Sequence, residues 1–128
     1  MSITAGQHAS VDHVVGEQDT ASALGSGDLP VLGTPRLVAW CEEATCAAIA
    51  AELDDASSSV GTRVDLEHVA ASAVGTTVTA TAAVTDVDGR LVSFEVVARD
   101  DAGQVVAHGR VRRVVVRREP FLDRLTRP

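Results

Sequence analysis

Residues 34–53 read TPRLVAWCEEATCAAIAAEL, and this stretch decides the fold. Its apolar side chains recur almost all round a helical projection, which predicts a helix over residues 35–53 that is enclosed on most sides. Thr34 can cap this helix, and Pro35 suits its first turn. Because many interior residues are alanines, a sheet could pack closely against the helix.

Stretches with the alternation typical of β-strands accompany the helix. One precedes it and four follow it, at residues 9–15, 59–70, 76–87, 90–99 and 104–118. Asp88-Gly89 is a typical hairpin signal between two of them. This order predicts an α+β domain with the hot-dog fold, in which an antiparallel sheet wraps around one long central helix. Such a sheet leaves an edge and part of one face uncovered, so we expect a homodimer or a tetramer.

The remaining segments define the expected domain organisation. The whole chain, residues 1–128, fits a single domain. Residues 1–8 are expected to fray, and residues 119–128 are expected to form a tail that can be a short helix. Residues 16–33 contain four glycines and one proline, which predicts a long loop or lid that is functional or mobile.

The cysteines and the N-terminus indicate a cytoplasmic setting. Cys41 and Cys46 lie on one helix with their Cα atoms about 8–9 Å apart, too far for a disulfide. Both are interpreted as small buried hydrophobes. The N-terminal MSITAGQHASV has neither a basic start nor an apolar run, so no signal peptide is expected. No stretch has the length of a transmembrane helix, so no membrane location is expected.

The charge balance limits the classes of ligand. The net charge of −7 argues against general nucleic-acid binding, and an aromatic content of 2% leaves few platforms for stacking bases. Residues 104–128 hold seven of the eleven arginines but only two acids. This basic end either holds an anionic ligand such as a phosphate-bearing cofactor or is a solvated strand edge and tail. The histidines lack ligand-like spacing, so no metal site is expected.

The predicted helix carries a carboxylate among apolar side chains. In projection, Glu42 falls in the apolar sector, whereas Glu43 falls in a smaller and more polar one. A carboxylate in apolar surroundings can serve as a general base or as a nucleophile. The alternative is that Glu42 pairs with an arginine or faces a dimer partner.

Thr34 and His68 are candidates for the same site. His68 shares the apolar side of its strand with Val60, Val64 and Leu66. A histidine there is either a core residue or a site residue. Thr34 is either a simple cap or part of a site in which the amides after it bind an oxyanion. On a regular helix, Thr34 and Glu42 are about 12 Å apart along the axis. They meet only if the helix starts late, a substrate spans the gap, or a second subunit completes the site.

Two segments carry a family resemblance: GTPRLVAWCEEA at residues 33–44 and VGTRVDLEHVAASAVGTTVTATA at residues 60–82. They resemble the hot-dog thioesterases related to fluoroacetyl-CoA thioesterase, within a likeness that spans about residues 29–121. The most specific part is the spacing of four residues, which agrees with that of the family without a gap: Thr34, Glu42, Gly61 and His68.

The resemblance implies an acyl-CoA thioesterase with sites near the dimer interface. Thr34 would orient the reacting thioester, Glu42 would be the base or nucleophile, and His68 would polarise the site and handle protons. Gly61 would let the backbone approach the acyl group closely. Arg113 would meet coenzyme A phosphates. Coenzyme A enters as part of the substrate, and no separate cofactor is implied.

The connecting residues 16–33 depart from the family pattern. The fluoroacetyl-specific member has an aromatic residue in the lid before its catalytic threonine, and residues 16–33 contain none. The sequence therefore favours a small or apolar acyl group over fluoroacetyl. Two other hypotheses keep the same fold: a non-catalytic dimer that binds an acyl ligand, and a hot-dog enoyl hydratase or dehydratase.

Overall fold

The computed structural model describes residues 2–126 as five strands, three α-helices and two single turns of 3₁₀ helix. The elements are β1 (His8–Val14), α1 (Ala21–Leu24), α2 (Thr34–Ile49), β2 (Ser57–His68), β3 (Thr77–Asp88), β4 (Leu91–Asp100), β5 (Val105–Arg117) and α3 (Arg118–Thr126), with 3₁₀ turns at Glu17–Asp19 and Ala50–Glu52.

The strands form one antiparallel sheet in the order β1-β3-β4-β5-β2. β3 ends at Asp88 and β4 begins at Leu91, so the hairpin predicted from Asp88-Gly89 is present. Gly89 has a φ of 59°, a backbone conformation that glycine adopts without the cost of a Cβ clash. β1 and β2 are the two edges of the sheet, and β2 carries His68 at its end.

The sheet curves around α2, which packs against β1, β3, β4 and β2. The buried side of the helix consists of Leu37, Trp40, Cys41, Ala44, Thr45, Ala48 and Ile49. The face of the sheet that packs against the helix consists of small and large apolar residues, chiefly Val78, Ala80, Ala82, Val84, Val92, Phe94, Val96 and Ala98. Truncating a fully buried side chain such as Phe94 to alanine would cost about 3–5 kcal/mol. The predicted α+β hot-dog architecture is therefore confirmed.

A bulge in β2 changes which residues share a face. Gly61 lies opposite Arg113 and Arg63 lies opposite Arg112, so Thr62 is an extra residue in β2. The bulge moves Val60 to the face opposite that of His68. The prediction that these two share a face was wrong, since strict alternation does not hold across an inserted residue.

The start of the chain is more structured than the sequence suggested, and its end contains the short helix that the sequence allowed. Ile3 is buried in the core, and the N–H of Gly6 donates to the carbonyl of Val84 at 2.8 Å. Residues 2–8 are thus packed against β3 rather than frayed, and Met1 lies outside the described residues. The expected tail contains α3, and residues 127 and 128 also lie outside the description.

Residues 16–33, called here the connecting segment, were expected to be a long loop or lid. The segment contains a 3₁₀ turn and α1, and it closes on itself through a bridge between Thr20 and Leu32. A second bridge joins Val31 to Ala73. It is therefore a compact strap over the start of α2.

Within residues 2–126, no helix combines the length and the apolar character needed to cross a membrane.

Candidate active site

Thr34 is the first residue of α2 rather than its cap. The cap position belongs to Gly33, which has no side chain to accept a hydrogen bond. The expected capping role of Thr34 was therefore wrong. Its hydroxyl instead lies 2.7 Å from Nδ1 of His68, at the end of β2. The fold thus joins two residues that lie 34 positions apart in the sequence.

His68 is held as a neutral imidazole that can accept a proton. Burial lowers its pKa below the ordinary value of 6.5, and the backbone of Ala70 offsets part of this effect. Nε2 is buried and makes no hydrogen bond within residues 2–126. We assign the ring proton to Nε2, because Nδ1 then accepts from the Thr34 hydroxyl.

The amides at the start of α2 are not arranged as the sequence suggested. Pro35 has no N–H, and the N–H groups of Arg36 and Leu37 both donate to the carbonyl of Gly33 at 3.1 Å. The amides after Thr34 are therefore absent or occupied, and that expectation was wrong. The amide of Thr34 itself makes no hydrogen bond within the described residues. It is the donor at this helix start that remains available to a ligand.

Glu42 lies two turns further along α2, in a recess made by a glycine. Its side chain is 35% exposed, and Oε2 lies 3.6 Å from Nη1 of Arg113. A Cβ on Gly61 would stand 2.5 Å from the same oxygen, so any other residue here would push the carboxylate aside. The ion pair with Arg113 agrees with the second hypothesis from the sequence, in which Glu42 pairs with an arginine. Gly61 thus lies against the Glu42 carboxylate, and its expected approach to the acyl group stays a prediction.

Arg113 lies inside the fold. It is 7% exposed, and it donates to Ser59 from Nε to the hydroxyl at 2.8 Å and from Nη2 to the carbonyl at 3.0 Å. With Glu42 as its second partner residue, the guanidinium has little exposed surface within one chain. The structure places it beside Glu42, and the contact with coenzyme A that the resemblance implies for Arg113 stays a prediction. Ser59 had not been identified from the sequence.

Glu43 and the cysteines complete the surroundings of the helix. Glu43 is half-exposed and lies 2.6 Å from Nε2 of His13, whose ring stacks on Trp40 at 4.7 Å between centroids. Burial, with a smaller contribution from the charge of Glu42, raises the pKa of Cys41 to about 11, so this thiol is a poor nucleophile. Cys41 is buried as predicted, but Cys46 is exposed, and both are free.

The candidate residues form two groups in one chain. The first is Thr34 with His68, and the second is Glu42 with Gly61 and Arg113. Within residues 2–126, no hydrogen bond or ion pair joins the Glu42 carboxylate to the first group. Because α2 begins at Thr34, a late helix start does not close the gap of about 12 Å.

A separate cleft of about 750 Å³ lies between Asp55 and α3. Its lining is mainly charged: Asp55, Ala56, Arg117, Arg118, Glu119, Pro120, Asp123 and Arg124. It includes none of the residues of the two groups, so its size does not make it the reaction site.

Similar proteins identify the family of this chain. A curated protein named fluoroacetyl-CoA thioesterase, from Streptantibioticus cattleyicolor, is 35% identical over 91 residues. The match covers 71% of this chain and 65% of the length of that protein.

Solved structures agree over nearly the whole fold. A threonine-to-serine variant of FlK in complex with acetyl-CoA has a TM-score of 0.90 at 29% identity, covering 96% of each chain. A Thermus thermophilus protein described as a thioesterase superfamily member has a TM-score of 0.88 at 26% identity, covering 97% of this chain and 93% of that one. Residues 15–119 match the sequence model of FlK, described as fluoroacetyl-CoA-specific thioesterase. The chain therefore belongs to the FlK family of hot-dog thioesterases.

Proposed function

We propose that this protein is an acyl-CoA thioesterase that acts on a small or apolar acyl group. Its family and its similarity to a relative in complex with acetyl-CoA support this class of substrate. The observation that carries the proposal is the Thr34 hydroxyl held 2.7 Å from Nδ1 of His68. A hydroxyl paired with a neutral imidazole is an arrangement suited to acyl transfer.

In this proposal, Thr34 binds and orients the reacting carbonyl. Its free N–H lies at the positive end of the α2 dipole, where it would donate to the thioester oxygen as negative charge develops. Its hydroxyl is directed by His68, which also takes up and returns a proton. The N–H of Thr34 and the hydroxyl directed by His68 both act on the thioester group, so Thr34 and His68 work as a pair.

Glu42 supplies the carboxylate for the hydrolysis itself. It either attacks the carbonyl carbon or removes a proton from the attacking water, and in both routes the carbon–sulfur bond breaks and the coenzyme A thiol leaves. Direct attack forms a mixed anhydride between the acyl group and Glu42, which water then opens. In single-turnover hydrolysis in oxygen-18 water, label in the Glu42 carboxylate identifies this route, because activation of water leaves that carboxylate unlabelled. Trapping of the acyl-enzyme identifies the same route when water opens the anhydride at the acyl carbon.

We further propose a homodimer in which the two groups of residues from different subunits meet. In one chain, β2 is an edge strand. Val64 on this strand is 38% exposed, and Val69 just after it is 52% exposed. A second copy would cover this surface. It would also bring the Glu42 of one subunit towards Thr34 and His68 of the other, which bridges the gap of about 12 Å.

We also propose a cytoplasmic setting for this activity. Both cysteines are free, as is usual in a reducing compartment. Fractionation of the source cells, with the protein found in the cytoplasmic extract, checks this part of the proposal.

The direct test is release of coenzyme A thiol from a panel of acyl-CoAs that runs from acetyl through medium-chain groups and includes fluoroacetyl. We expect turnover that varies with the acyl group and that falls to a small residual rate in Thr34→Ala. Tight binding without thiol release would instead indicate an acyl-ligand binder. Hydration of an enoyl-CoA in the same panel, without thiol release, would indicate a hydratase.

A further inference from the structure

The connecting segment is tied to the start of α2 by one acidic residue, Asp19, which is 6% exposed. Its Oδ1 lies 2.9 Å from Nε of Arg36, and its Oδ2 accepts the N–H of Gly16 at 2.8 Å. Its main-chain carbonyl accepts the N–H of Gly33 at 2.9 Å. Because Gly33 precedes Thr34 and Arg36 follows it by two residues, Asp19 holds the helix start on both sides of Thr34.

The electrostatics of α2 explain why this contact matters. The first turn contains no acidic residue, and the cap residue Gly33 contributes no side-chain oxygen. The first turn instead contains Arg36, a cation where the helix dipole favours an anion. Asp19 supplies the missing negative charge from outside the helix. Among the described residues, Nε of Arg36 finds no hydrogen-bond partner of good geometry, so the attraction between the two charges carries the contact.

The connecting segment is also fixed to the residues that follow His68. The N–H of Leu32 donates to the carbonyl of Ser72 at 2.9 Å, and Val31 forms a bridge with Ala73. The connecting segment therefore contacts the residues next to Thr34 and the residues that follow His68. A displacement of the connecting segment would change the separation of the Thr34 and His68 side chains.

We propose that Asp19 is a positioning residue for the active site, which fixes the first turn of α2 through Arg36 and Gly33 and so holds the Thr34 hydroxyl against His68. Asp19 touches none of the groups assigned to the reaction, so its effect on catalysis passes through Thr34. The catalytic part of this inference rests on the proposed function, whereas the positioning is a property of the protein without substrate.

The positioning is tested by NMR titration of the His68 ring in the wild type and in Asp19→Asn. A hydroxyl that donates to Nδ1 stabilises the neutral ring, so its displacement raises the pKa of His68. Removal of the Asp19 charge alone would lower that pKa, so the sign of the change separates the two effects. The matched control is Glu17→Gln, an exposed acid in the same segment, which should leave the titration unchanged. An unchanged or lowered pKa in folded Asp19→Asn overturns the proposal, whatever the enzymatic activity.

The catalytic consequence is tested by a double-mutant cycle. Asp19→Asn should lower kcat about tenfold through misplacement of Thr34, with KM changed by no more than about twofold. In a Thr34→Ala background, the same substitution should have no further effect on the residual rate. Equal losses in the two backgrounds would contradict action through Thr34. If the wild type releases no thiol from any acyl-CoA, the proposed function fails while the NMR result still decides the positioning.

A second pair of variants covers the case in which Asp19→Asn does not fold. Arg36→Gln breaks the same ion pair from its more exposed side, which is 35% accessible, and should reproduce the lower kcat. The pKa of His68 does not serve in this variant, because loss of the cation alone would raise it. The nitrogen-15 chemical shift of Nδ1 in the neutral ring, which reports its hydrogen bond, should move instead. Arg36→Lys keeps the positive charge and should restore most of both properties. If folded Arg36→Gln behaves as the wild type in both measurements, the ion pair does not position Thr34.

Discussion

Thr34 has its chemical properties because of the position at which α2 begins. As the first helical residue it keeps an N–H that no group in the described part of the chain accepts, and Pro35 after it offers no competing donor. With Gly33 as the cap, its hydroxyl is not used by the helix and reaches His68. A start one residue later would make Thr34 a cap and would turn its hydroxyl towards the backbone amides.

The protonation of His68 gives the first prediction at the scale of residues. The reaction requires the neutral ring, and burial lowers the pKa of His68 below 6.5. The ring therefore stays neutral as the pH falls through 6.5 and becomes charged only further down. We expect the acid limb of kcat/KM that is due to His68 to have its midpoint below pH 6.5 and to disappear in His68→Asn. A His68-dependent midpoint at or above 6.5 would contradict this assignment.

Gly61 gives the second prediction. A Cβ at this position would stand 2.5 Å from the carboxylate of Glu42, which is the mobile end of a side chain and can move away. The φ of Gly61 is not positive, so alanine fits the backbone. We expect Gly61→Ala to lower kcat by about 10- to 100-fold through displacement of Glu42. We expect it to change the free energy of unfolding by less than about 1 kcal/mol. A wild-type kcat would show that the position of Glu42 is not critical.

At the scale of elements, the regular parts of the fold could be predicted, because hydrophobic periodicity reflects burial directly. All five strands were placed to within two residues at each end. The bulge at Thr62 could not be predicted, since it depends on pairing with β5 rather than on β2 alone. The burial of Arg113 could have been predicted from the sequence. The alternation that turns Ala107, Gly109 and Val111 inward continues to Arg113, two residues later.

The close pairing of β2 with β5 gives the third prediction. A Cβ on Gly109 would overlap the carbonyl oxygen of Asp65 and would stand 2.8 Å from Cα of Leu66. Because these are backbone atoms, the strands must separate to accommodate it. We expect Gly109→Ala to destabilise the fold by about 2–4 kcal/mol in denaturant unfolding. Gly61→Ala is the matched control on the partner strand. A loss for Gly109→Ala no larger than that of the control would contradict the close approach of the strands.

At the scale of the whole molecule, one chain holds the chemical groups but leaves them apart and open to solvent. Thr34 is exposed and the Glu42 side chain is 35% exposed, whereas a reaction with a developing oxyanion is favoured by exclusion of water. The expected dimer accounts for both features. The geometry of that interface could not be predicted from one sequence, since it depends on contacts between copies.

Subunit complementation gives the fourth prediction. Thr34→Ala and Glu42→Gln should each keep only a small residual rate alone, because every site lacks one group. When the two variants are unfolded and refolded together, half of the dimers should be mixed, and each mixed dimer should hold one intact site. We expect about a quarter of the wild-type activity to return. No recovery in mixtures that form dimers would place each complete site within one subunit.

The most direct test of the central claim is the rate of thiol release from the best acyl-CoA substrate by Glu42→Gln and by Glu43→Gln. The two carboxylates are neighbours on α2, but only Glu42 lies in the recess of Gly61 beside Arg113, while Glu43 pairs with His13. The account predicts that Glu42→Gln loses about 100-fold or more in kcat. It predicts that Glu43→Gln keeps nearly the full rate. Equal rates in the two variants would contradict it.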